Sequence, residues 1–294
     1  MKKIDKKLPL VSIIINCYNG EKYLSQTISS VLKQSYKKWE IIFWDNKSTD
    51  KSKKIVKKYK DKRIKYYCST KLVKLYKARN FALKKCSGEY ITFLDVDDYW
   101  FKDKLKEQIY KIYKSRAEMI YSNCMILNES KNTKKIWIKK QLPEGNITNE
   151  LLKSYEIGLL TVMIKKKVMD KVKFYDGYSI IGDFDLFIKL SMKISILCVQ
   201  KPLGVYRLHS VNFSSKNKKL LILELDHWYN KNKATFKNYN IFYLKNYILF
   251  QKIKLAIFNS EYFKAIKFFN NFPLNYEKIK LFIMFFLPKK NLYK

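Results

Sequence analysis

The chain has 294 residues, 47% of them hydrophobic, which excludes a disordered polypeptide and allows one large α/β domain with or without a smaller one appended. Lys and Arg number 61 against 25 Asp and Glu, a formal net charge of +36. That excess is mainly Lys and runs from end to end beside abundant Ile, Asn, Tyr and Phe, so it reads as a bias of the whole composition. Attraction to anionic lipid or a phosphorylated substrate stays open, but no zinc spacing, RNP-like aromatic motif or Arg-rich recognition helix accompanies the charge, and no specific nucleic-acid partner is expected.

Cys17, Cys68, Cys86, Cys124 and Cys198 are odd in number, lack CxxC spacing and sit in apolar-rich stretches. They read as reduced core residues of a cytoplasmic chain. The basic N-terminus carries too short an apolar run for a secretory signal. Near the other end, "LFIMFFL" (281 to 287) is too short to span a bilayer.

In chain order, short apolar runs alternate with helical patterns, which predicts βα units feeding a mostly parallel sheet. "VSIIIN" (11 to 16) is a buried strand, and Leu24, Ile28, Val31 and Leu32 recur after it at helical spacing. "WEIIFW" (39 to 44) is a second strand, which "DNKSTD" turns into a basic helix containing Ile55, Val56 and Tyr59. "RIKYY" (63 to 67) is a third strand, "LYKARNFALKKC" (75 to 86) a helix, and "YITFL" (90 to 94) a fourth strand. Beyond it come a helix from about Phe101, strands at 117 to 127 and 134 to 140, helices near 148 to 155 and 183 to 192, and two further strands, "ISILCV" and "LGVYRLH". From about Ser214 the pattern is helical, so we expect one α/β domain over 1–214 and a helical region over 215–294.

Asp95, Asp97 and Asp98 fall within four positions just past the fourth strand. One of them would suffice to cap the following helix. Three repel one another unless a cation sits among them, and hard carboxylate oxygens select Mg or Mn, typically together with substrate phosphates. Ligands of open α/β sheets bind beyond the carboxyl ends of the strands. Asn16 to Asn19, Asp45 and Asp95 to Asp98 all follow strands at that edge.

Residues 9 to 110, then "GDFDLFIKLS" (182 to 191) and "VYRLHSVNFS" (205 to 214), resemble family 2 glycosyltransferases of the GT-A fold. The resemblance implies that Asn16, Tyr18, Asn19 and Asp45 bind the donor's nucleoside. In place of the family's Pro-Thr-Tyr-Asn this chain has Asn16-Cys17-Tyr18-Asn19. It further implies that Asp97 and His209 hold a divalent metal, Mn or Mg, with Asp95 near the ribose or the metal. Arg79 and Arg207 would assist at the base and the diphosphate. Asp183 matches the family's catalytic base, with Asp185 as second candidate, yet Gly182 stands where the family usually carries Glu.

The implied function is inverting transfer from a nucleotide sugar, a UDP-sugar in the first instance, to a glycan or lipid-linked acceptor in bacterial surface polysaccharide synthesis. The chain would act in the cytoplasm, peripheral to the inner face of an anionic membrane, to which the apolar and Lys-rich segments at 241 to 258 and 278 to 290 are suited. Several of these residues also have a plain structural reading: Tyr18 as packing, Asp45 as a turn, Arg79 as a solvated helical cation, Asp183 as a helix cap and Arg207 as an outward residue of a strand; His227 matches no family position and reads as structural. The alternatives are a nucleotidyltransferase, which would want a Gly-rich phosphate loop after the first strand, a non-catalytic sugar-nucleotide binder, and a basic nucleic-acid-binding protein.

Overall fold

The computed structural model describes residues 8–115, 117–274 and 276–286. The basic start of the chain and the end of the last apolar segment, 287–290, lie outside the described residues. One compact unit comprises the chain to Ile147 together with Glu156–Asn212, and a second comprises Thr148–Tyr155 with the residues from Phe213 onward.

The first unit opens with β1 (Val11–Cys17), α1 (Glu21–Leu32), β2 (Trp39–Asp45), α2 (Ser52–Lys58), β3 (Ile64–Cys68), α3 (Leu75–Leu83) and β4 (Tyr90–Phe93). β1 pairs in parallel with both β2 and β4, and β2 with β3. Both β1 and β2 are buried along their whole length, as expected of parallel strands covered on both faces. Val11, Ile13, Ile15 and Cys17 on one face of β1 pack with Leu24, Ile28 and Val31 of α1 and Val56 of α2.

The opposite edge of these strands is fastened by Glu40. Its Oε1 accepts hydrogen bonds from the Ser12 hydroxyl (2.6 Å) and the Ser87 amide (2.8 Å), and its Oε2 pairs with Lys65 (2.6 Å). Gly88 is required there, since a Cβ would lie 2.6 Å from the backbone nitrogen of Ser12.

The chain continues through β5 (Tyr99–Trp100), α4 (Lys104–Tyr113), β6 (Met119–Asn128), β7 (Thr133–Ile136), α5 (Thr148–Lys153), β8 (Met163–Lys165), α6 (Lys166–Met169), α7 (Gly182–Ser191) and β9 (Ile196–Leu208). The sheet order is β3-β2-β1-β4-β8-β6-β9-β5, with β7 paired to β6. Antiparallel β8 joins β4 to β6, and the long parallel pairing of β6 with β9 follows.

Three sequence expectations differ, and one burial was not anticipated. The helix expected from Phe101 begins at Lys104, because Tyr99 and Trp100 pair with Val205 and Gly204 first. "ISILCV" and "LGVYRLH" form a single strand: Pro202 has no amide to give the ladder, and a register shift opposite Asn123 absorbs it. Cys68 is exposed, because β3 is the sheet's edge strand; the other four cysteines are buried and all five are free. Lys104 is wholly buried, its Nζ 2.5 Å from the Thr92 hydroxyl and 3.8 Å from the centre of the Trp100 ring, and burial pushes its ammonium well below the usual lysine range.

The second unit contains α5 with α8 (Phe213–Lys216), α9 (Lys218–Asn232), α10 (Phe242–Phe258), α11 (Tyr262–Asn270) and α12 (Tyr276–Met284). Ile253, Ala256, Ile257, Ala265, Phe272 and Leu281 form its core. None of the described helices is long and apolar enough to cross a membrane.

Candidate active site

Because β1, β2 and β4 run parallel, the loops after them meet at one edge of the sheet. Asn16, near the end of β1, is buried, and neither the oxygen nor the nitrogen of its amide has a hydrogen-bond partner in the protein. Trp44, beside it in register, has an equally unpartnered indole N–H. Buried polar groups are almost always satisfied, so this pair marks a place suited to a ligand or ordered solvent.

Tyr18 is 51% exposed. Asn19 adopts a left-handed backbone (φ 52°), and its side-chain oxygen accepts the amide of Thr49 at 2.8 Å, which ties the loops after β1 and β2 together. Asp45 is buried, one oxygen accepting the Ser48 amide (2.7 Å) and the other the Tyr66 hydroxyl (2.6 Å). Both of its carboxylate oxygens are thus engaged inside the protein. The next residue, Asn46, passed over in sequence, donates through its amide to the Val73 carbonyl at 2.7 Å.

The three acidic residues after β4 have three different neighbours. Asp95 pairs with Arg79 at 2.7 Å. Arg79 is 3% exposed, not a solvated helical residue, and its guanidinium lies 5.2 Å from the Tyr76 ring centre and 6.0 Å from that of Phe174. Asp97 lies 2.9 Å from His209 Nε2, and Asn212 reaches the same carboxylate oxygen at 3.4 Å. Asp98 is buried and accepts the backbone amide of Arg207 at 2.9 Å. It therefore anchors the loop to β9 and does not cap α4, whose N-cap is Asp103.

The mutual repulsion expected of this cluster is present. Burial and then the charge of Asp95 push the Asp97 carboxyl up; burial and then the charges of Asp97 and Asp95 push Asp98 well above the usual range.

Arg207 braces the same loop from beneath. Its Nε donates to the Asp97 carbonyl (2.8 Å), one terminal nitrogen to Glu129 (2.9 Å) and the other to Gln26. The guanidinium also lies 4.5 Å from the Tyr23 ring centre, and the Tyr23 hydroxyl donates to Glu129 at 2.6 Å. Glu129, Gln26, Tyr23 and Asn212 were not singled out in sequence. Tyr23 and Gln26 lay inside residues 9 to 110 and Asn212 inside the late motif, whereas Glu129 lay outside every stretch that carries the resemblance.

Asp183 and Asp185 both fall in the first turn of α7. Asp183 is partly exposed and accepts the Tyr76 hydroxyl at 3.2 Å. Burial pushes its carboxyl up, with the charge of Arg79 opposing. Asp185 is buried and paired with Lys189 one turn on, at 2.5 Å. His227 sits exposed on α9 in the second unit.

Among the described residues no group of three or more His, Cys, Asp and Glu is arranged to hold a metal ion. Asp97 and His209 supply one carboxylate and one imidazole. That set fits a divalent ion whose other ligands are diphosphate oxygens and water, and the raised carboxyl of Asp97 is what such an ion would relieve.

The Glycosyl transferase family 2 model matches residues 12–190. An Escherichia coli UDP-Glc:alpha-D-GlcNAc-diphosphoundecaprenol beta-1,3-glucosyltransferase, WfgD, is 39% identical over 56% of this chain and 64% of its own length. A second such E. coli enzyme, WfaP, is 34% identical over 73% of this chain and 84% of its own. Among solved structures, S. aureus TarS 1-349 in complex with UDP-GlcNAc superposes with a TM-score of 0.61 at 22% identity, over 75% of this chain and 66% of that one. The Pyrobaculum calidifontis mannosyltransferase PcManGT, in complex with GDP-Man and Mn2+, gives 0.61 at 15% identity, over 83% and 71%. The fold is thus that of the GT-A glycosyltransferases, and the chain belongs to glycosyl transferase family 2.

Proposed function

We propose that this enzyme transfers a sugar, with inversion, from a UDP-sugar to a hydroxyl of a glycan or lipid-linked glycan in bacterial surface polysaccharide synthesis. The observation that carries the reading is the run of contacts from Asp95 through Arg79 and Tyr76 to Asp183, which links a carboxylate on α7 to the acidic loop about ninety positions earlier. The E. coli relatives, named for transfer from UDP-Glc, and the UDP-GlcNAc in the structural neighbour favour a UDP-sugar.

In this reading Asp183 takes the proton of the acceptor hydroxyl, and the oxygen's lone pair attacks the anomeric carbon. The bond from that carbon to the diphosphate oxygen breaks, and its electron pair leaves on the diphosphate. Attack and departure on opposite faces invert the configuration. Asp185 is the weaker candidate because Lys189 already neutralises it. Asn16 and Tyr18 serve the nucleoside, while Asn19 and Asp45 shape the loops around it. Asp97 and His209 would hold the metal, Mn or Mg, with Asp95 beside them kept in register by Arg79. When bound, the ion supplies charge neutralisation at the departing diphosphate.

The test is UDP affinity with and without Mn, in the wild type and in Asp97→Ala. Mn is expected to tighten binding, and the substitution to abolish that gain. Equal, salt-sensitive binding in both proteins with or without metal would reduce the site to generic polyanion attraction and sink the reading.

We further propose attachment to the inner face of an anionic membrane through the second unit. Phe263 and Leu274 there are 88% and 91% exposed, Phe282 and Ile279 more than half, and Lys264, Lys267, Lys278 and Lys280 lie among them. Apolar side chains flanked by lysines suit a headgroup layer of negative charge. The protein is expected to sediment with phosphatidylglycerol vesicles and not with phosphatidylcholine ones. Phe263→Asp with Leu274→Asp should weaken that at least about tenfold, since each buried aromatic or Leu side chain contributes on the order of 2 kcal/mol. Unchanged sedimentation of the double variant would count against this face.

A further inference from the structure

We infer that Tyr76 and Gly182 form a matched pair that positions the Asp183 carboxylate. The inference rests on the reading of Asp183 as the base, and adds a residue to which neither the family resemblance nor the relatives assign a role.

Gly182 has no left-handed backbone to explain it; among the described glycines only Gly145 has a positive φ. What explains it is space. A Cβ at position 182 would lie 2.6 to 2.7 Å from three carbons of the Tyr76 ring, closer than real Cβ contacts come. The ring therefore lies flat against the backbone of the first turn of α7, and only glycine admits it there.

The ring has no easy way to retreat. Tyr76 is 2% exposed, stacks on Phe174 at 5.5 Å and has the Arg79 guanidinium 5.2 Å from its centre. Its hydroxyl is fixed by the same geometry. Its single proton is shared, donated to the Ile180 carbonyl at 2.6 Å and more weakly to Asp183 Oδ1 at 3.2 Å, so the carboxylate and the chain just ahead of α7 share one anchor.

The groups that face Asp183 from α3 are Tyr76 and Arg79. On its own helix Asp185 is already paired with Lys189. Arg79 stabilises the ionised carboxylate through space and the Phe184 amide by a backbone hydrogen bond; Tyr76 adds the side-chain hydrogen bond. A side chain larger than glycine at 182, such as the Glu common in the family, would expel the ring. In this chain the Tyr76 ring occupies that space and position 182 carries no acid.

The test compares Tyr76→Phe, Gly182→Ala, the double variant Tyr76→Ser with Gly182→Ala, and Asp183→Asn. The first readout is UDP release from UDP-glucose with GlcNAc-diphosphoundecaprenol as acceptor. The second is the carboxyl titration of Asp183 followed by NMR, which needs no substrate.

Tyr76→Phe keeps the ring and should fold, yet lower kcat about 10- to 100-fold, the usual size of a lost orienting contact, with donor KM little changed. It should also move the Asp183 titration to higher pH. Gly182→Ala should lower both Tm and kcat; Tyr76→Ser opens a buried cavity that one methyl group does not fill, so the double variant should also melt below wild type and should not recover kcat.

A Tyr76→Phe enzyme with wild-type kcat and an unmoved Asp183 titration, beside an inactive Asp183→Asn, overturns this pairing and leaves the base assignment standing. Wild-type turnover in Asp183→Asn overturns the base assignment itself. Recovery of kcat in the double variant shows a purely steric pair and also overturns the inference.

Discussion

Asp183→Asn is expected to lower turnover about 10³-fold, the middle of the range for removal of a general base, while UDP affinity with Mn stays within about twofold of wild type. The asparagine keeps an oxygen for the Tyr76 hydroxyl, so the local geometry survives and only the proton acceptor is lost. The pH profile adds a second signature. Burial holds the wild-type carboxyl above the usual aspartate range against the pull of Arg79, and the base must be ionised to act. kcat/KM should therefore fall as pH drops through that raised value, and the residual rate of Asp183→Asn should lack this acidic limb.

Stability should move the other way. An acid whose folded pKa is raised binds more protons folded than unfolded between the two values. Stability is therefore lost as pH rises through that window. Above it the wild type carries a partly desolvated charge that the amide lacks, and Asp183→Asn should melt no lower than wild type at neutral pH. A dead enzyme with a much lower Tm would point to a structural cap and not a base; a fully active one would remove Asp183 from the chemistry.

The half of the fold from β1 to β4 was legible because its signals are local. Continuous apolar runs such as Val11 to Ile15 and the helical spacing of Leu24, Ile28 and Val31 each report on their own segment. What was lost depends on distant partners. Tyr99 and Trp100 look like the approach to a helix until β9 returns, about a hundred residues later, to pair with them. Residues 148–155 look like part of the first domain, yet Leu151 and Leu152 are buried in an element that belongs with the C-terminal helices.

In the site the same division holds. Three carboxylates in four positions are conspicuous in so basic a chain, and the Asp97–His209 contact follows from motifs that could be quoted. The burial of Arg79 could not be read, because among 61 cations one that is desolvated looks like the rest. Lys104 was hidden in the same way. Gly182 was legible only as a missing acid; that a ring from α3 fills the vacated volume is a three-dimensional fact.

Arg207 illustrates what that distinction decides. Sequence suggests a cation for the departing diphosphate, whereas Nε and both terminal nitrogens of its guanidinium donate within the protein and its central carbon lies 4.5 Å from the Tyr23 ring centre and 5.6 Å from that of Tyr99. Arg207→Ala removes those bonds and the packing of the side chain. Glu129 is partly exposed and regains water, so the full penalty of an orphaned buried charge does not apply. The expected loss is about 2–4 kcal/mol, from two or three charge-assisted hydrogen bonds and a buried side chain. For a unit of this size, that corresponds to a Tm lower by roughly 5–12 °C.

The backbone amide of Arg207 still reaches Asp98, so the acidic loop keeps one anchor and the protein should fold. The Asp97 carbonyl loses its donor, and with it the fixed relation between Asp97 and His209. Arg207→Ala should therefore also weaken the metal-dependent part of UDP binding while leaving the metal-free part alone. Arg207→Lys keeps a charge but not the planar fork that serves Asp97, Glu129 and Gln26 together, and should recover less than half of the lost stability. If Arg207 instead grips the diphosphate, Arg207→Ala will melt with the wild type and lose UDP affinity equally with and without metal, and the bracing role will have to be given up.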